Sequence, residues 1–274
     1  MPSKTGKAPA QYYKNDLTID QPSFTGIDSV IRTVVDGAGN RTAIALSDDN
    51  LAVKPKNDDT NTAFFVQTSA GTNILQVDTL NSKVLVGVSA IAANTQYAHF
   101  GTSYGEASTT AFLADTHYAI PFMMGNYGAV AVNYAMGSST SSSFNDTNPA
   151  TSLTISTTAM SIVRCYWYVM DNITIDAVKW LHGADDATGD STAAHLMAYT
   201  VDIANGSTSG DLSSGVVVAD GATITNAGYE QIYYQSMTIQ SADVDAGKVV
   251  LFTFASDTIN SDYSINATVK YHIR

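Results

Sequence analysis

The sequence contains very little cysteine and very little charge. Cys165 is the only cysteine in 274 residues, so no intrachain disulfide can form and stability must come from burial or assembly. Cys165 lies in an apolar run, where a small buried hydrophobic residue is expected. Charged residues make up only 14% of the chain, and its formal net charge is −12. The chain therefore lacks the basic face that a nucleic-acid-binding protein needs.

Long apolar runs are also missing. Residues 1–7 have no apolar signal-peptide core, and no segment approaches the roughly 18 apolar residues that span a bilayer. We therefore expect a protein that does not insert into membranes and is not exported by a recognisable signal.

Motifs for nucleotide binding are absent as well. The sequence contains no P-loop and no dinucleotide-binding glycine pattern. One Gly-x-Ser-x-Gly spacing occurs, at residues 101–105 (GTSYG), without the helical pattern that follows the serine in a nucleophile elbow. The five histidines are far apart, and the two glutamates, Glu106 and Glu230, indicate no particular glycosidase carboxylate pair. Residues 182–190 are the best Ca²⁺ candidate, but they match no calcium-loop spacing and are interpreted as a solvated acidic turn. The prediction is a protein without catalysis, metal or cofactor.

The sequence does contain a repeat. Residues 39–50 return 31 positions later as residues 70–81. Each copy has a glycine-containing turn, an alternating apolar strand, an Asp/Ser/Asn turn and a second apolar strand. The pattern predicts two β-hairpin units.

A hairpin of this size has an apolar side that it cannot bury alone, and two in tandem bury little more. Neighbouring copies of the chain would have to supply the missing surface. The residues predicted to lie at that interface are Ile44, Leu46, Leu75, Val77, Val84 and Val86.

Residues 73–87 (NILQVDTLNSKVLVG) follow a scheme of strand, Asp-Thr-x-Asn turn, strand and glycine. This scheme resembles the shaft and collar repeats of bacteriophage fibre and virion-surface proteins, which associate around a threefold axis. The resemblance implies a homotrimer located in the virion, made in the host cytoplasm and serving a structural role.

The second half of the chain is dominated by short strand patterns. Alternating or continuous apolar runs separated by Gly, Asn, Asp and Ser turns occur at 161–170, 173–180, 196–203, 215–218, 232–239, 248–255 and 264–273. They predict an all-β fold, a β-sandwich of the jelly-roll type. Residues 174–181 and 242–252 are similar to the C-terminal jelly-roll domains of phage fibres.

Three segments are therefore predicted. Residues 1–35 form an anchoring arm that docks on other virion proteins through Tyr12, Tyr13 and Lys14, although an arm folded back on its own domain remains an alternative. Residues 36–94 form a trimeric hairpin collar, and residues 95–274 form the jelly roll.

Two positions in the virion fit this organisation, a capsid decoration protein and a head or tail fibre. A fibre would attach to a host-surface glycan, and Tyr229, Tyr233 and Tyr263 are the predicted glycan contacts because tyrosine combines a stacking ring with a hydrogen-bonding tip. A carbohydrate-binding module or a glycan depolymerase is the alternative function.

Overall fold

A computed structural model of the chain describes residues 16–20, 27–87, 91–104, 114–123, 151, 163–185, 189–203, 210–228, 230–257 and 262–274. The chain divides into two compact units, Met1–Ala93 and Asn94–Arg274. Within the described ranges the regular structure is β, apart from one 3₁₀ turn at Val163–Cys165. The predicted all-β fold class is confirmed.

The described residues of the first unit form two antiparallel sheets of four strands each. The first sheet is formed in chain order by β1 (Thr18–Ile19), β2 (Arg32–Val35), β3 (Arg41–Leu46) and β4 (Leu51–Val53). The second is formed by β5 (Phe64–Gln67), β6 (Asn73–Asp78), β7 (Lys83–Val86) and β8 (Ile91–Ala92). The first predicted hairpin, β3–β4, is thus extended at its β3 edge, and the second, β6–β7, is extended at both edges. Strand β2 brings residues 32–35, which were assigned to the arm, into the first sheet.

Equivalent turns begin the two repeats. Gly39 and Gly71 adopt φ values of 83° and 82°, a left-handed conformation that favours glycine. Each glycine N–H donates to the backbone oxygen three residues earlier, on Asp36 and Thr68 respectively. The side chains of Asp36 and Thr68 also accept a backbone N–H from the residue that follows the glycine. These bonds fix where the strand after each turn begins.

The second unit is a sandwich of two antiparallel sheets. Its strands are β9 (Thr95–Tyr104), β10 (Tyr118–Ile120), β11 (Trp167–Tyr168), β12 (Ile173–Asp185), β13 (Ser191–Ile203), β14 (Gly210–Asp220), β15 (Ile224–Thr225), β16 (Gln231–Ser236), β17 (Thr238–Ile239), β18 (Asp243–Val244), β19 (Lys248–Ser256) and β20 (Asp262–Ile273). One sheet has the order β9-β20-β12-β16 and is called the β12 sheet. The other, called the β13 sheet, has the order β10-β19-β13-β14-β17.

This strand order is that of a jelly roll. When β9, β10, β12, β13, β14, β16, β19 and β20 are numbered from one to eight, the sheets read 1-8-3-6 and 2-7-4-5. Successive strands thus alternate between the sheets, except that the fourth and fifth, β13 and β14, are neighbours in one sheet, as in the two Greek keys of a jelly roll. The short strands β11, β15, β17 and β18 pair at the ends of these eight.

The core of the sandwich lies between its two sheets. Phe100, Trp180, Phe252 and Phe254 are fully buried between the sheets, and the Trp180 indole N–H donates to Oε1 of Gln235. A second buried cluster lies on the other face of the β13 sheet and comprises Ala119, Cys165, Met197, Tyr199, Leu212, Val249 and Leu251. Because both faces of β19 are covered, its sequence is a continuous apolar run. Burial raises the pKa of the Cys165 thiol to about 12, which fits its expected role as a small hydrophobic residue.

Two strand predictions were wrong. The apolar run 161–170 was expected to be one strand, but its described part is a 3₁₀ turn followed by the two-residue β11, because an apolar run alone does not distinguish a strand from a buried turn. The run 232–239 was also expected to be one strand. It is divided at the buried Met237 into β16, in the β12 sheet, and β17, in the β13 sheet.

Gly215 on β14 tests the packing of the second cluster. A methyl group there would lie 2.5 Å from Cε1 of Tyr199 and 3.0 Å from Cα of Thr151. We expect Gly215→Ala to lower the free energy of unfolding by about 1–3 kcal/mol through overpacking, measured by urea denaturation. Val216→Thr, at the neighbouring exposed position, should change it by less than about 0.5 kcal/mol. Equal effects of the two substitutions would contradict this account.

Candidate functional site

The second sheet of the first unit has one face that is entirely apolar. Residues directly opposite each other in antiparallel strands lie on the same face, and alternate residues of one strand do so as well. The strand register therefore places together Phe64, Val66, Leu75, Val77, Val84, Val86 and Ile91. We call this set the second repeat face.

The first sheet has a smaller face of the same kind. Ile44 lies opposite Val53, and Leu46 lies opposite Leu51. Alternation along β3 puts Ile44 and Leu46 on one side of the sheet. We call these four residues the first repeat face. The two faces together contain all six residues that the sequence predicted at an interface between copies.

Both faces remain partly exposed in the ranges that the structure describes. Val84 and Val86 are each 41% exposed, Ile44 is 43% exposed and Leu51 is 68% exposed. Leu46, Leu75 and Val77 are half-buried. Contiguous exposed apolar surface is uncommon on a monomeric protein and marks an interaction site.

Polar turns hold the strands of these faces in register. After β3, Asn50 donates its backbone N–H to Oγ of Ser47. After β6, Asn81 donates its backbone and side-chain N–H groups to the carboxylate of Asp78. Hydrogen bonds from Asn81 hold the pKa of Asp78 below its usual value, so this turn keeps a carboxylate acceptor at neutral pH.

An open concavity of about 360 Å³ lies beside β6 and β7. Its lining consists of amide, hydroxyl, aliphatic and glycine residues: Gln67, Gly71, Thr72, Asn73, Ile74, Leu75, Gln76, Leu85 and Gly87. Since none of these side chains titrates near neutral pH, the concavity offers no general acid or base.

The structure corrects the predicted glycan contacts. Tyr263 is only 4% exposed, and its hydroxyl lies 2.8 Å from Oγ of Ser256, so its ring belongs to the core. Tyr233 is half-buried and stacks on His182 with 5.1 Å between ring centroids. Its hydroxyl is bonded to Asn226. Both rings face inward because they occupy the core-facing positions of their strands.

Tyr234, next to Tyr233, is the tyrosine that the strand presents to solvent. It is 57% exposed. Strand alternation shows that the two neighbouring tyrosines lie on opposite faces, but only the register with β12 shows which of them faces out. Tyr229, the third predicted glycan contact, and the arm residues Tyr12, Tyr13 and Lys14 lie outside the described residues.

Buried histidines form a second polar feature, within the jelly roll. The ring of His117 lies 4.8 Å from that of His195 on the β13 sheet, and Nδ1 of His195 lies 3.0 Å from Oδ1 of Asp220. Burial, with a smaller contribution from His195, lowers the pKa of His117 to about 3. Burial also lowers the pKa of His182 to about 4. Both rings are therefore neutral at pH 7 and serve as packing groups.

Within the described ranges, no group of three His, Cys, Asp or Glu side chains could hold a metal ion. Residues 186–188 of the acidic turn considered for Ca²⁺ are not among those ranges. The described residues also include no helix long and apolar enough to cross a membrane.

Comparison with known proteins adds no assignment. No protein-family model matches the chain, and no curated protein sequence matches it significantly.

The buried histidines make stability depend on pH. The unfolded chain protonates a histidine near pH 6.5, whereas the folded chain protonates His182 only near pH 4. The unfolded state therefore binds more protons between these values, and stability falls as the pH drops. At about pH 5 the expected loss from His182 is about 2 kcal/mol relative to pH 7.5.

His182→Phe keeps an aromatic ring between Trp180 and Tyr233 but removes the proton-binding site. We expect it to reduce the stability difference between about pH 7.5 and about pH 5 by about 2 kcal/mol, measured by urea denaturation at each pH. An unchanged difference would show that His182 is not responsible.

Proposed function

We propose that the chain is a structural protein of a phage virion. It forms a homotrimeric surface appendage, a fibre or a capsid decoration protein, that is anchored by its N-terminal arm and displays a jelly-roll domain. The observation that carries this proposal is the pair of apolar repeat faces that the single chain leaves exposed. The function is non-catalytic.

Copies of the same chain are the partners that suit these faces best. The two faces occur in tandem and have the same aliphatic character, so equivalent faces on other copies can pack together at both levels. Soluble homo-oligomers are mostly closed and symmetric, and closure around an axis would convert each set of exposed faces into a core. The resemblance of residues 73–87 to threefold collar repeats favours three copies over two.

The jelly roll suits display. Its large core side chains are covered within the single chain, with Trp180, Phe252 and Phe254 fully buried. The repeat sheets instead leave aliphatic residues such as Val84 and Val86 exposed, which favours assembly through them. This difference between the two units fits a protein whose repeat sheets assemble and whose jelly roll is presented to the surroundings. Host attachment would take place on the jelly roll.

Neighbouring residues on β5 provide a matched test of assembly. Val66 belongs to the second repeat face and is 45% exposed, while Phe65 lies on the opposite face and is 48% exposed. We expect the wild-type chain to be a trimer by light scattering coupled to size exclusion. Val66→Lys should raise the dissociation constant of the trimer at least about tenfold, because three charges would be buried together. Phe65→Lys should leave the mass unchanged.

A well-folded wild-type monomer would overturn the assembly proposal, as would equal dissociation by the two variants. Immunogold labelling of phage particles tests the location. Label on capsid or tail supports the proposal, and unlabelled particles from lysates that contain the protein count against it.

A further inference from the structure

The two edges of the β12 sheet differ in how they are covered. At the β9 edge, the backbone N–H of Gly101 donates to the backbone oxygen of Pro121. The backbone N–H of Met123 donates in the same way to that of His99. At the other edge, β16 pairs with β12, and none of the described residues forms a backbone bond to its outer side. An edge of this kind presents a row of unpaired backbone groups.

The hydrogen-bond pattern identifies the residues that form this open edge. The backbone N–H of Met237, just after β16, donates to the backbone oxygen of Val178 on β12. Hydrogen-bonded and non-hydrogen-bonded positions alternate along an antiparallel pair, so every second residue before Met237 is bonded to β12. The N–H and C=O groups of Ile232, Tyr234 and Ser236 therefore point away from the sheet.

The same part of β16 exposes large apolar side chains. Ile232 is 77% exposed and Tyr234 is 57% exposed, and Leu181, opposite Tyr234 on β12, is 42% exposed. Edge strands are usually protected from further pairing by a charged residue, a proline or a bulge. The sequence of β16, QIYYQS, contains neither charge nor proline, and its register with β12 is continuous. The strand is therefore an unprotected edge.

Backbone groups and charges together indicate the partner that suits this edge. A row of unpaired N–H and C=O groups is satisfied by another extended strand. At one end of β16, Lys179 lies opposite Ser236, and its Nζ lies 5.6 Å from the centroid of the Tyr234 ring. At the other end, the exposed Glu230 precedes the strand. A second β16 in antiparallel orientation would place Glu230 of each copy near Lys179 of the other, so the edge is complementary to itself.

We propose that β16 pairs with β16 of a second copy of the chain across a twofold axis, which joins two β12 sheets into one. A twofold contact uses the same surface on both copies. Ile232 of each copy then lies opposite or diagonal to Tyr234 of the other, within contact range of an aromatic side chain. The proposed threefold axis is formed by the repeat sheets, so the β16 contact joins one trimer to the next.

The size of this contact makes it weak between free particles. One six-residue strand per copy buries much less than the roughly 1,200 Å² of the smallest stable interfaces, so association should depend on concentration. Neighbouring trimers held on a capsid surface would form many such contacts together. This biological role rests on the proposed function, and lateral contacts between trimers favour a decoration protein over an isolated fibre.

Light scattering of the full-length protein over a range of concentrations tests the contact. We expect the molecular mass to rise above that of the dilute form between about 10 µM and about 500 µM. Ile232→Lys should raise the dissociation constant of this step at least about tenfold, because it places a charge on the edge strand of both copies. Val216→Lys makes a comparable change on β14, at a residue that is 49% exposed, and should leave the association unchanged. Thermal unfolding of both variants confirms that the jelly roll is intact.

Amide hydrogen exchange on the same samples locates the contact. The backbone N–H groups of Ile232 and Tyr234 should exchange at least about fivefold more slowly in the concentrated protein than in the dilute protein, because pairing protects them. Those of Tyr233 and Gln235, which are bonded to β12, should be protected at both concentrations.

A mass that does not change with concentration would overturn the inference, as would equal weakening by the two variants. Association without slower exchange at Ile232 and Tyr234 would also overturn it, in favour of a contact elsewhere. The mass of the dilute wild-type protein tests the repeat assembly separately. A dilute trimer that associates no further contradicts only the β16 contact, and a dilute monomer that dimerises through β16 contradicts only the proposed trimer.

Discussion

The proposed function depends on the exposed apolar faces of the two repeat sheets. A sheet that is one layer thick can shield neither of its faces, and a pattern of aliphatic residues on one face creates surface that water disfavours. In the first unit this pattern occurs twice, on β3 and β4 and again across β5 to β8. Partial exposure of these residues is the reason that assembly with other copies of the chain is central to the proposed function.

The jelly roll covers the apolar faces of its sheets within one chain. Its two sheets cover each other, and the second cluster around Tyr199 and Leu251 is buried on the far side of the β13 sheet. The sandwich even accommodates neutral histidines such as His117 and His182. Because its core residues are buried within the chain, its outer surface is available for recognition.

Much of the fold could be predicted because strand structure leaves a period of two in the sequence. The alternation in 264–273 and the apolar run in 248–255 correspond to β20 and β19. The exposed repeat residues, such as Ile44 and Val84, could be identified for the same reason. The run 161–170 shows where strand prediction from sequence fails. Its apolar composition indicates burial, but it does not indicate whether the buried residues pair with a neighbouring strand.

The sequence by itself determined the all-β class, the two repeats and the aliphatic residues that the repeats expose, because these depend on local patterns of side chains and turns. Only the tertiary structure decided which of two adjacent tyrosines, Tyr233 or Tyr234, faces the core, and that 232–239 is divided between two sheets. These outcomes depend on pairings between strands far apart in the chain, and a local pattern contains no information about which strands will meet.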